Sequence, residues 1–415
     1  MNSHAPEDGR RSRIPRFVFV LVLLEIASFG LSLPVLPVRV RELTGGGQAS
    51  ISWYGVCTFA LGLGFLISVG VTGTLSDRVG RRPLMLMNCA GLAAGNLLCA
   101  IAPNVGTLVL ARLWYGLFNC NGSLAQAYLA DLATREERGR CFGWLGAMQG
   151  LGFLIGPLVG GQLGAHDTRI PFVLAAVVAG VNLAAGFWLL PESLRPESRE
   201  VSARRTFNPL GAILYLTQPG PIRSLLPGFG LMALALNTFL IAWVPFTHAR
   251  FGWGPQESGW SLFGLGFFAM LSRGVLFPRM LKLLPLRWIC LGALGASVLT
   301  YVAYGWVRDG RMIYLVMAAD MLGLSCRVAF MTLASTRADE TSQGRTLGGL
   351  ESLNNLTLGL APVLSSILLL WMTDYPAQDR QAGLPLYFCA GLLLIALGLS
   401  LRPILRPGPS PRGSE

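Results

Sequence analysis

The sequence predicts an all-α polytopic membrane protein: twelve transmembrane helices in two pseudo-repeated six-helix bundles, with both chain ends in the cytoplasm. Three observations predict it. Of 415 residues, 53% are hydrophobic and 13% charged, about half the charge of a soluble domain. The apolar residues gather into twelve runs, each near the roughly 20 residues that cross a bilayer as a helix. A shift of 205 residues lays Gly139-Arg140-x-x-Gly143 on Gly344-Arg345-x-x-Gly348, Gly156-Pro157 on Ala361-Pro362, and Arg82 on Arg287. One offset recurring at three separated places implies that the last six runs copy the plan of the first six.

The runs cover residues 17–38, 52–73, 84–102, 107–129, 141–163, 170–190, 224–247, 258–278, 288–306, 312–334, 346–372 and 384–402. They divide the chain into a basic tail (1–16), a first bundle (17–190), a polar linker (191–223), a second bundle (224–403) and a second tail (404–415). Of the 33 basic residues, 23 fall on the side of the two termini, seven on the other and three inside the runs. The positive-inside rule therefore puts both termini in the cytoplasm. Arg10-Arg11 hints at a twin-arginine signal, but the run that follows is long and has no small-residue cleavage pattern.

Several function classes are excluded at this stage. The net charge of +12 is spread over scattered residues, all Arg except Lys282, with no basic and aromatic patch for a nucleic acid. All eight cysteines (57, 89, 99, 120, 141, 290, 326 and 389) lie in apolar runs without a C-x-x-C pair. They read as small buried side chains, so neither a disulfide framework nor a metal site is expected. No G-x-x-x-x-G-K-[ST], H-E-x-x-H or G-x-S-x-G occurs, which argues against an ATP-driven pump or an enzyme. Repeated halves with a site between them near the midplane are a transporter architecture.

Two motifs sharpen this. After the second run comes Gly73-Thr74-Leu75-Ser76-Asp77-Arg78-Val79-Gly80-Arg81-Arg82-Pro83. Gly73 and Gly80 suit a tight loop, Asp77 suits the positive end of a helix, and Arg78, Arg81 and Arg82 suit carboxylates or lipid phosphates. The fifth run holds Gly152-x-x-x-Gly156-Pro157-x-x-Gly160-Gly161, small residues spaced to let helices touch backbone to backbone, with a proline to bend the span. The first resembles the loop signature of the major facilitator superfamily, and the second resembles the motif of its exporters and antiporters. Pro34-Val35-Leu36-Pro37, Arg112-x-x-x-Gly116, Ala127-Tyr128-Leu129-Ala130-Asp131, Glu137-Arg138 and Leu190-Pro191-Glu192-Ser193 extend the match. Together they look like the twelve-helix drug:proton antiporters, nearest the tetracycline exporters. The likeness is dense over residues 17–193 and thinner beyond, where Lys282 and Pro285 stand opposite Asp77 and Gly80.

That resemblance implies a monomer in a bacterial cytoplasmic membrane, exporting small amphipathic molecules on the proton gradient with no cofactor. It implies a gating role for Gly73, Asp77, Arg78, Gly80, Arg81 and Arg82, and antiport for Gly152, Gly156, Pro157, Gly160 and Gly161. A tetracycline antiporter proper and a solute:proton importer are the alternatives, because fold does not set direction.

Glu25, Arg112, Arg273, Asp320, Arg327 and Glu351 lie inside the runs. Left unpaired near helix centres, each costs roughly 2.5–3.5 kcal/mol, so they must pair, neutralise or face water. In the fold the resemblance implies, runs 1, 4, 7 and 10 line the central cavity. Glu25 is then assigned as proton carrier, Arg112 as the charge biasing nearby acids, and Asp320 as its partner or a second coupling acid. Arg273 reads as a snorkelling residue near the cytoplasmic end of its run. Arg327 and Glu351, at similar depth on consecutive helices, read as a structural ion pair. Polar and aromatic residues on cavity runs are the substrate candidates: Ser28, Tyr115, Asn119, Gln126, Asn237, Trp243 and Phe246. Tetracycline antiporters carry further acids in runs three and nine, where this chain has Gly95 and Gly295. The expected substrate is therefore a cationic or zwitterionic amphiphile bound without an obligatory metal.

Overall fold

In hydrocarbon a backbone must satisfy its own hydrogen bonds, and helices are the local way to do so. A computed structural model describes residues 15–134, 137–193, 222–338, 343–372 and 379–405, and every regular element among these is helical. The proposed linker and both tails lie mostly outside the described residues. Ten of the helices are long and apolar enough to cross a membrane, or eleven if Met312–Ala319 and Gly323–Arg337, bent by 52°, form one span. The first half holds α1 (Phe17–Ser32), α2 (Leu36–Thr44), α3 (Gln48–Val79), α4 (Arg81–Ile101), α5 (Val105–Leu117), α6 (Asn121–Leu132), α7 (Arg138–Gly164) and α8 (Ile170–Leu189). The second holds α9 (Leu226–Phe251), α10 (Pro255–Leu271), α11 (Phe277–Leu283), α12 (Leu286–Trp306), α13 (Met312–Ala319), α14 (Cys326–Arg337), α15 (Gln343–Met372) and α16 (Leu384–Leu405). A π-helical turn, Ser272–Leu276, joins α10 to α11.

The fourth expected run does not form one helix. It breaks at residues 118–120 into α5 and α6, neither long enough alone to span. The tenth breaks in the corresponding place, between α13 and α14. Here the 205-residue offset becomes structural: it carries the bounds of α4 onto those of α12, and the bounds of α6 onto those of α14. The halves share even their interruptions.

The segment expected to loop after the second run is a correction. Residues 73–79 are the last turns of α3, and Gly80 alone, at φ +117°, separates them from α4. Only a residue without a β-carbon adopts that angle at little cost, so the turn is made in one step.

Glycines set how closely the helices approach. A β-carbon on Gly152 would stand 2.6 Å from the Leu23 carbonyl oxygen, and one on Gly156 would stand 2.9 Å from Gly30 Cα, so α7 lies directly on α1. Gly161 faces the second half, where its β-carbon would come within 2.8 Å of Gly259 Cα on α10. Gly62 likewise meets Gly359 of α15 at 3.3 Å. At the same end the Tyr54 hydroxyl donates to the Ile241 carbonyl at 2.9 Å, and Arg41 meets His248 at 2.6 Å. At the other end the halves part. Gly139, Gly143, Gly146 and Gly150 of α7 and Gly348 of α15 have open space where a β-carbon would be. A cleft therefore opens between the halves at the end bearing Gly80, Arg138 and Arg337, and is sealed at the opposite end. The outward faces carry large exposed apolar side chains, among them Leu97, Leu110, Leu299 and Leu315, as a lipid-facing surface requires.

Candidate functional site

Glu25 sits on α1, 5% exposed, opposite the break in the fourth span. Breaking a helix leaves the first N–H groups of the next segment without intrahelical acceptors, and Cys120, the residue capping α6, offers no side-chain cap. Both the backbone and the side chain of Asn121, the first residue of α6, face the Glu25 carboxyl. Asn88 holds Asn121 in place, donating to its Oδ1 at 3.2 Å. One Glu25 oxygen, Oε2, is buried without a hydrogen bond. The break thus gives an intramembrane acid a polar neighbour without a counter-ion.

Arg112 of α5 is 1% exposed. Its Nη1 reaches the Ser32 hydroxyl at 3.4 Å, its guanidinium lies 5.5 Å from the Tyr115 ring centroid, and its Nε has no partner. No carboxylate forms an ion pair with it among the described residues. Tyr115 stands near both Arg112 and Glu25, and its buried hydroxyl is unpartnered. A cation and an acid therefore flank one tyrosine inside the first half.

Asp320 lies at the break between α13 and α14 and is 2% exposed. It accepts a 2.7 Å hydrogen bond from Thr300 of α12, with Tyr301 and Tyr304 beside it. Gly323 allows this fold-back, since a β-carbon there would collide with the Asp320 carboxylate. Asp320 is thus bound within the second half and does not partner Arg112. Arg327 and Glu351 are brought together, with Nη2 2.7 Å from both carboxylate oxygens. The pair joins α14 to α15 and stays partly exposed, 36% and 45% by side chain.

Arg273 differs from its sequence reading. Helix continues to Leu283, ten residues further, which sinks Arg273 about 15 Å from that end. Its Nε donates to the Leu324 carbonyl at 3.4 Å in the broken tenth span, so it does not snorkel.

The turn motif forms a charged knot on the first half alone. Arg81 pairs with Asp77 at 2.7 Å and with Asp131 at 3.2 Å. The Arg81 backbone N–H donates to Glu192 at 3.0 Å, so Glu192 caps α4, and Ser193 donates to Asp131 at 3.3 Å. Arg82 donates to the Phe187 carbonyl at 2.7 Å, while Arg78 is exposed. Gly73 and Gly80 take the helical and the turning positions already described. Asp131 and Glu192 were visible in the sequence only as pieces of a family pattern; the structure gives them partners.

Among the substrate candidates, Gln126 is exposed and Asn119 half-buried. Asn237 donates to Thr357 at 2.9 Å. Ser28 is buried and donates to the Leu24 carbonyl. Tyr115, Trp243 and Phe246 are buried, with Trp243 bonded to Ser261 and packed at tilted and edge-on angles among Phe239, Phe246 and Tyr304. These four pack into the helices in this conformation and do not face the cleft. No cluster of three or more His, Cys, Asp or Glu that could hold a metal occurs among the described residues.

Comparison with known proteins bears on the fold and the family. The tetracycline resistance protein, class C, of Escherichia coli is 31% identical over 395 residues, covering 95% of this chain and 96% of that protein. A bacterial homolog of the human lysosomal transporter Spinster, inward-facing and unoccupied, matches 98% of this chain and all of its own with a TM-score of 0.75 at 14% identity. A D-xylose-proton symporter matches 95% of this chain and 98% of its own with a TM-score of 0.71 at 15% identity. The family model for the Major Facilitator Superfamily covers residues 18–362. This chain, a multi-pass membrane transporter of small molecules with tetracycline resistance proteins among its relatives, belongs to the major facilitator superfamily.

Proposed function

We propose that the chain is a proton-coupled exporter of small amphipathic organic molecules, working by alternating access. The carrying observation is the pairing of a cleft open at one end with Glu25, buried and half-unpartnered beside the broken fourth span. The arginine-rich connections assign the open end to the cytoplasm, where an exporter loads. Glu25 binds a proton in one conformation and yields it in the other, and Arg112, through Tyr115, biases the exchange. Asp320, held by Thr300, anchors the opposite broken span and plays an auxiliary part in coupling. Asp77 and Arg81 hold the turn of α3 and α4 ready to dock on the second half when the open end closes.

Proteoliposomes with the open end outward and an acidic lumen test direction. Import of dye against no gradient of its own, abolished by a protonophore, is the expected result. Uptake driven only by an alkaline lumen would make the protein a symporter.

We infer that the substrate is not a metal–tetracycline chelate. A divalent cation seeks several carboxylate oxygens, and Gly95 provides none. A β-carbon there would already stand 3.1 Å from Tyr115 Cα, so no acid fits without moving α5. High-level tetracycline resistance in an export-deficient host, with Mg²⁺-dependent transport, would overturn this.

A further inference from the structure

Arg273 has a placement that the transport cycle above leaves unused. Along α10 the face that meets the first half is marked by Gly259, packed on Gly161, and by Gly266, packed on Leu154. The two helices run antiparallel, so each step of seven on α10 is a step of seven back on α7. One further heptad from Gly266 reaches Arg273, the second residue of the π-helical turn, and brings it near this face, level with Ala147. There α7 has swung away, for Gly146 and Gly150 on either side of Ala147 have nothing near a β-carbon position. Arg273 is exposed, one position round from the exposed row of Trp260, Phe267 and Gly274. Its guanidinium therefore stands in the wall of the cleft.

The charges around it do not balance. Among the described residues Arg273 meets a backbone carbonyl, Leu324, and no carboxylate. Arg327, close enough to act on it electrostatically, is already engaged with Glu351 at 2.7 Å. Two arginines thus stand beside a single acid, contributed by the π-helical turn, α14 and α15. While the cleft is open, Arg273 stays exposed and Arg327 partly so. Closing it along the existing register would press Arg273 onto Ala147, and a buried cation without a partner costs several kcal/mol.

We propose that Arg273, with Arg327 beside it, is the docking point for a carboxylate or similar anionic group on the substrate. The inference rests on the exporter reading and narrows its substrate class to amphiphiles bearing an anion, zwitterions included. A planar guanidinium offers a carboxylate two parallel N–H donors. The substrate anion supplies the charge whose absence opposes closure, so a loaded carrier closes more readily than an empty one.

A matched pair of dyes tests this: rhodamine B, a zwitterion with a free carboxylate, and its ethyl ester, a cation on the same ring system. Binding to the full-length protein in nanodiscs is followed by fluorescence anisotropy. Rhodamine B is expected to bind about tenfold more tightly than the ester. Arg273→Gln should erase that preference by weakening rhodamine B alone, and Arg273→Lys should keep part of it. An ester that binds wild type as tightly as the acid, a Gln variant that weakens both equally, or no saturable binding of either dye would each overturn the proposal. Gradient-driven transport of both dyes without preference would refute the anion site while leaving the exporter reading standing. Absence of any gradient-driven transport would remove the exporter reading itself.

Discussion

The two halves repeat one backbone and carry different chemistry. Shifted by 205 residues, α4 becomes α12 and α6 becomes α14, and both halves break their fourth helix. The charges do not follow. Glu25 maps onto Gly230, Arg112 onto Met317, Asp320 onto Tyr115 and Glu351 onto Gly146. The first half keeps its acid and its cation buried around Tyr115. The second half ties its acid to Thr300 and sets Arg273, Arg327 and Glu351 toward the cleft. Gly80, with the charged knot beside it, also belongs to the first half, where the second has Pro285. Packing and hinge geometry belong to both copies, then, while proton chemistry and the anion wall are divided between them.

The division is broken most directly at Glu25. Glu25→Gln is expected to abolish gradient-driven export while leaving expression and thermal stability unchanged, since the amide fills the same space. Asp320→Asn should cost about tenfold in rate, near 1.4 kcal/mol, because Thr300 can still donate to the amide oxygen. Equal, complete losses at both positions would put the proton path through both halves. Flux assays in proteoliposomes at fixed internal pH separate the outcomes.

A contrast between the sealed and open ends comes next. Gly156→Val forces a side chain against the backbone of α1, and overpacking of this kind costs roughly 1–3 kcal/mol. Gly146→Val enters open space in this conformation and should leave the melting temperature unaltered, yet slow turnover by obstructing closure. A Gly146 variant with normal turnover would show that α7 does not approach α10 along its whole length.

Asp77→Asn should retain substrate binding and slow turnover severalfold. In the open conformation Asp77 is one of two acids on Arg81, so the knot survives its loss, and the effect reports on docking to the second half. Turnover within about twofold of wild type, roughly 0.4 kcal/mol, rejects a gating role.

Much of this was legible in the sequence, and the misses have physical causes. Hydropathy sees composition, so it located the spans and the repeat. It could not see the break at 118–120, because Phe118, Asn119 and Cys120 are no less apolar than a continuous span tolerates. Helix continued through Asp77 because polar residues leaving the bilayer lower hydropathy without ending a helix. Arg273 was misread because hydropathy carries no partners: its guanidinium turns to the Leu324 carbonyl in the broken tenth span. A repeated lock also escaped notice. Arg39 donates to the Ala102 carbonyl at 3.1 Å, and Arg250 to the Val307 carbonyl at 3.3 Å. Those acceptors are 205 residues apart, but the arginines are not. Carbonyls at a helix end accept from any cation within reach, so the bond was preserved while the residue moved.

The smallest effect is expected at Arg327 and Glu351, and it sharpens the view of the second half as a wall facing water. Buried, such a pair would lose roughly 3–5 kcal/mol when one partner is removed. Here both side chains are more than a third exposed, and exposed ion pairs are worth about 0.2–1 kcal/mol. Neutralising either one should therefore shift stability little, and the double-mutant cycle of Arg327→Gln and Glu351→Gln should return a coupling below about 1 kcal/mol, weaker in high salt. The two single variants should nonetheless differ in transport. Glu351→Gln frees Arg327 and leaves two unpaired cations in the cleft wall, which should tighten binding of an anionic dye. Arg327→Gln removes one of those cations and should weaken it. A coupling of several kcal/mol, insensitive to salt, would place the pair in a dry interior and deny the second half its open wall.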